Sequence, residues 1–107
     1  MSSKEPEKKK LPKKYMLTGA PVWTNDEYSK KVLQAIDITT VHEGKPRTIR
    51  YPATRDEAET TIGLLIPGIQ KGINAFHGLM KGEHVALGTH TVEELLEYGL
   101  PFEDLEP

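Results

Sequence analysis

The sequence predicts a small α+β domain, residues 15–107, in which a β-hairpin packs on two or three short capped helices behind a disordered basic tail, residues 1–14. Three observations predict it. Apolar and polar residues alternate on both sides of Glu43-Gly44-Lys45-Pro46, a composition that joins hairpin strands. Three Thr-x-x-Glu stretches precede residues with helical spacing of apolar groups. The opening "MSSKEPEKKKLPKK" offers almost nothing to bury.

The tail carries six lysines against two glutamates, a net +4, and the rest of the chain carries −6, so the overall −2 hides a basic tail on an acidic body. From Glu83 onward there are carboxylates and no Lys or Arg. The tail lacks the apolar stretch of a signal peptide. No apolar run approaches the roughly 18 residues of a membrane span. Cysteine is absent, which excludes a disulfide scaffold, a thiolate metal site and a cysteine nucleophile. A cytoplasmic location with no membrane span is the expectation.

After the tail, "YMLTGAPVWT" is apolar but broken by Gly19-Ala20-Pro21, and is expected to be a short extended arm anchored by Trp23. Thr24-Asn25-Asp26-Glu27 matches a capping box, which predicts a helix to about Lys31. Val32 to Ile36 suits helix or strand. Ile36, Ile38 and Thr40 then share one strand face, with Asp37, Thr39 and Val41 on the other. Arg47 to Tyr51 alternates again, and Pro52 ends the strand. After the box Thr54–Glu57, the residues Ala58, Ile62, Leu65 and Ile66 form one helical face that Pro67 should stop.

Residues 68–81 are the most ambiguous stretch, because glycines weaken a helix. On a helical wheel Gln70, Lys71, Asn74, His77 and Lys81 collect on one side, and Ile69, Ile73, Phe76, Leu79 and Met80 on the other. That period predicts an amphipathic helix ending at Gly82. Such a helix needs packing on its apolar side, and its small residues let another backbone come close. A last capped helix is expected over Val92–Tyr98, with Gly99 as its left-handed cap.

The order of hairpin, capped helix and then "GEHVALGTHTVEELLEYGLPFEDL" is similar, over residues 35–105, to that of ubiquitin-like β-grasp domains. The pattern departs from that family where residues 68–81 read as helix in place of a strand, in ending before the family's last central strand, and in having no terminal Gly-Gly. The likeness implies no function here.

No motif announces a reaction. Beyond the tail the only serine is Ser29, and neither phosphate-binding glycine motif is present. No catalytic residue and no cofactor are expected. The main expectation is a non-catalytic accessory subunit or adaptor within a larger complex. It would contact a larger protein subunit through Tyr15, Trp23, Ile69, Ile73, Phe76, Leu79 and Phe102, because a small core leaves apolar stripes and aromatics to cover. The first alternative is a nucleic-acid module using Lys8, Lys9, Lys10, Lys13 and Lys14 with a hairpin cluster of Lys45, Arg47 and Arg50. A second is a metal-dependent enzyme at His77, His84 and His90, although their spacing is not that of a tight ligand pair. His42, beside the hairpin loop, is expected to be exposed.

Overall fold

Four strands and three helices follow one another as β1 (Tyr15–Asn25), β2 (Lys31–His42), β3 (Lys45–Pro52), α1 (Arg55–Leu65), α2 (Ile69–Met80), β4 (Val85–His90) and α3 (Val92–Glu97). The computed structural model describes residues 12–102 and 105. Most of the expected tail lies outside the described residues, while Pro12, Lys13 and Lys14 are exposed and without regular structure. The α+β class holds, but the hairpin belongs to a four-stranded sheet in the order β3-β2-β1-β4. All three pairings are antiparallel. A two-stranded hairpin is marginal alone, and the two further strands supply what it lacks.

The first correction concerns residues 15–31. "YMLTGAPVWT" is not an arm: it forms most of β1, which has β2 on one side and β4 on the other. Thr24 caps no helix, because it pairs with Val32 inside the β1–β2 ladder. The turn is made by Asp26, whose Oδ1 accepts from the backbone N–H of Tyr28 and of Lys30, each at 2.8 Å. Aspartate competes for backbone donors in this way at turns as readily as at helix starts. Residues 32–36, open to either state from sequence, are strand.

The β2–β3 hairpin forms as expected, with a tighter turn. His42 pairs with Lys45, and Glu43 and Gly44 take φ of 53° and 77°. Two successive positive values are what a two-residue hairpin turn of matching twist requires. Ile36, Ile38 and Thr40 face inward with Tyr51, Ile49 and Arg47 opposite them.

The other two capping boxes are complete. Thr54 accepts from Glu57 N–H while Glu57 Oε1 accepts from Thr54 N–H at 2.9 Å. Thr91 and Glu94 repeat the arrangement, with Glu94 Oε1 2.8 Å from Thr91 N. That N–H holds the Glu94 carboxyl below its ordinary value. α2 ends with Gly82 N–H donating to Leu79 O and Glu83 N–H to Gly78 O, and α3 ends the same way through Gly99 and Leu100. These paired bonds satisfy carbonyls that a helix end otherwise leaves open.

The glycines of α1 and α2 are met largely within the chain. A Cβ on Gly72 would stand 3.9 Å from the Cα of Gly63, and one on Gly78 would stand 3.0 Å from Val85 Cγ1. The first is an ordinary contact that a methyl could make, whereas the second is tight, so it is Gly78 that lets α2 settle on β4. The close backbone approach expected of a partner is made first by the protein's own elements.

Both helices lie against the sheet face that carries Leu17, Ile36, Ile38 and Leu87, all fully buried. Tyr15 and Phe102 complete this core together with Ala58, Ile62, Leu65, Phe76, Leu79 and Leu95. The C-terminal segment folds back, so that Pro101, Phe102 and Leu105 stand beside Pro46–Ile49 of β3. His42 is buried, contrary to the expectation, because Tyr15 of the adjacent strand covers it, with the Tyr15 hydroxyl 3.5 Å from Nδ1. Among the described residues no helix is long and apolar enough to cross a membrane.

Candidate functional site

The apolar stripe of α2 divides into two parts. Phe76 and Leu79 are buried, at 3 % and 0 % exposure, whereas Ile69 and Ile73 stand 85 % and 41 % exposed. All four lie on one helical side, so the difference is one of cover. α1 ends at Leu65 with Ile66 as its C-cap, and the Pro67-Gly68 break turns the chain before α2 begins. Beside the first turns of α2, α1 presents Gly63, which has no side chain to cover Ile69 and Ile73, whereas Arg55 lies over Phe76.

Between the two helices lies an open cleft of about 240 Å³. Gly63, Gly68 and Gly72 make its walls shallow, and Ile69, Ile73 and Phe76 make them apolar. Glu59 supplies a carboxylate at its rim. The Arg55 guanidinium sits 5.2 Å from the centre of the Phe76 ring and shields its far side. An apolar ridge beside a small-residue cleft is suited to receive a helix or loop from another protein.

The rest of the expected partner-facing set is placed elsewhere. Tyr15, Phe76, Leu79 and Phe102 spend their apolar surface on the protein's own core. Trp23 is half-buried, packed against that core opposite Leu33, and Lys31 Nζ lies 4.9 Å over its ring. The expectation that Tyr15, Phe76 and Phe102 are left for a partner to cover fails because the four-stranded sheet and the folded-back C-terminal residues provide the cover. Leu64 is exposed and was missed, since it lies off the α1 stripe. Met16 and Val41, exposed on the sheet face away from the helices, were legible only as alternating apolar residues in what proved to be neighbouring strands.

The basic cluster is not one surface. Lys45 and Arg47 belong to the helix-side face of β3 and Arg50 to the opposite face. Arg50 is also engaged: its Nε and Nη2 donate to Asp37 Oδ1 and Oδ2 at 2.8 and 3.1 Å. This fork holds the Asp37 carboxyl below its ordinary value. Lys13 and Lys14 are exposed, whereas Lys8, Lys9 and Lys10 lie outside the described residues.

The histidines do not converge. His77 and His84 are exposed, whereas His90 is buried with Nε2 donating to Leu87 O at 2.9 Å and Nδ1 lying 3.9 Å from Glu94 Oε1. Among the described residues no group of three or more His, Asp or Glu is placed to hold a metal ion.

No protein-family model, curated protein or solved structure matches the chain.

Proposed function

We propose that the protein is a non-catalytic accessory subunit that docks on a larger protein through the α1–α2 face. The observation that carries this reading is the exposure of Ile69 and Ile73, 85 % and 41 %, at the mouth of the glycine-lined cleft. Large apolar groups placed together in this way gain most when a partner removes them from water, by about 25 cal/mol per Å² of apolar area. Their separation from the folding core matters as well. The core closes without them, so they are available to recognition at little cost to stability. The cysteine-free composition fits a cytoplasmic setting.

The test is purification of the intact chain from its native cells, beside the double variant Ile69→Asp with Ile73→Asp. The variant is expected to melt like the wild type and to lose the partner that co-purifies stoichiometrically. If a variant with an unchanged melt retains the same partner at the same stoichiometry, the α1–α2 face is not the docking surface.

A further inference from the structure

β3 and β4 are the two edges of the sheet. An edge strand presents unpaired backbone donors and acceptors to any chain that can lie beside it. The β3 edge is protected by its own composition: Pro46 and Pro52 lack an N–H, and Lys45, Arg47 and Arg50 resist a second strand. β4 reads Val-Ala-Leu-Gly-Thr-His, with no proline and no Lys, Arg, Asp or Glu. Among the described residues its only strand partner is β1. One edge is thus closed to addition, and the other is open among the described residues.

Beside the open edge runs a groove of about 520 Å³ between β4 and α2. Ile66, Ala75, Val85 and Ala86 give it an apolar lining, and Lys71 and Asn74 stand on its α2 rim. Lys71 is the one ionisable residue in that lining, is exposed, and makes no ion pair among the described residues. The groove uses the opposite flank of α2 from Ile69 and Ile73, and Ile66 is the one residue that it shares with the lining of the α1–α2 cleft.

We propose that the β4 edge and this groove receive an extended peptide segment of a partner protein. The segment pairs main chain to main chain with β4 at Val85 and Ala86, since the Leu87 carbonyl already accepts from His90 Nε2, drops a small apolar side chain between Ala75 and Val85, and presents an acidic residue to Lys71. Strand addition of this kind takes its affinity from backbone hydrogen bonds and its selectivity from the adjoining groove.

The bulge in β4 selects the occupant. The β1–β4 register shifts between Met16 and Thr18, and on the β4 side Gly88 takes φ +81° against the end of α1. A bulge bends its strand and interrupts pairing. A two-fold pairing along the whole of β4 with a second copy puts the axis at Leu87–Gly88 and brings the two bulges together, and a pairing confined to Val85–Leu87 offers Lys71 no carboxylate from β4, which has none. A short peptide needs only the regular part before the bulge, and it brings the carboxylate that Lys71 lacks.

The probe is a phage-displayed library of random short peptides, panned on the full chain, with backbone amide exchange followed by NMR. Selected peptides are expected to share an acidic residue and to slow exchange at outward-facing β4 amides. They should bind Lys71→Glu about tenfold more weakly, the loss of one charge-assisted contact. They should bind the Ile69→Asp, Ile73→Asp variant as they bind the wild type, which separates this surface from the α1–α2 face. The proposal is overturned if no peptide is recovered, or if recovered peptides leave β4 exchange unchanged or bind Lys71→Glu equally well. Outward β4 amides already protected in the peptide-free chain, by a second copy or by the chain's own terminal residues, overturn it too.

Discussion

Gly63 and Gly72 face each other where α1 meets α2, with a Cβ on Gly72 placed 3.9 Å from the Cα of Gly63. The relation is one-sided. A Cβ on Gly63 meets nothing within 4 Å, because that position opens toward the cleft. Gly63→Ala is therefore expected to raise stability by about 0.5–1 kcal/mol, the helix-propensity difference, as measured by urea denaturation. If it instead lowered stability by a similar amount, the helices would have to be closer than they are.

Gly88 is the opposite case. It combines φ +81° with a Cβ position 2.9 Å from the Leu65 carbonyl oxygen, a backbone atom that has no rotamer by which to yield. Gly88→Ala is expected to destabilise by about 1–3 kcal/mol, through strain and the displaced end of α1. Equal midpoints for Gly88→Ala and wild type would count against the β4 bulge.

Phe102 separates a core role from a recognition role. At 5 % exposure beside β3, its removal should cost about 3 kcal/mol in a denaturant titration. An unchanged midpoint with lost partner binding would return Phe102 to the partner-facing set.

Thr54 is a sharper test of local design. Thr54→Ala removes the acceptor for Glu57 N–H and is expected to cost about 1 kcal/mol. Thr24→Ala, in the sequence that resembles the same box, should show no helix-capping loss, because Thr24 is in β1. Comparable losses at both positions, with matching loss of helical circular dichroism, would contradict the β1–β2 ladder.

The Asp37–Arg50 pair predicts a pH dependence of known sign. Arg50 depresses the folded-state pKa of Asp37, mainly through its hydrogen bonds. The pair's contribution is then fully present above the unfolded value of about 3.9 and fades as pH falls through the lower folded value. The stability gap between wild type and Asp37→Asn should be constant near neutrality and close in the acid range. A gap that persists unchanged into strong acid would show that charge is not its source. Because the pair is largely solvent-facing, the effect is small and weakens with salt.

Much of the fold was legible because its causes are local. The boxes at Thr54 and Thr91, the break at Pro67, the ends of α2 and α3 at Gly82 and Gly99, and the alternation of β2 and β3 each depend on residues within a few positions. The candidate site was half legible. The α2 stripe is legible as a stripe, but its division depends on which α1 residues come to lie beside it.

What the sequence by itself determined is therefore the class, the capped helices, the β2–β3 hairpin and the amphipathic period of residues 69–80. The tertiary structure decided the rest. Thr24-Asn25-Asp26-Glu27 has the side chains for either a helix start or a turn, and the outcome was set by β2, which pairs Val32 with Thr24 and Lys31 with Asn25. That partner strand follows at once, but its ladder runs on to Thr18 and Thr39 and is backed by β4 on the other side of β1, so the window that shows the capping box does not contain what holds the strand. The same holds for the glycines of α1 and α2. Each weakens its own helix, and only the approach of Gly78 to Val85 shows close packing between elements that a side chain would disturb.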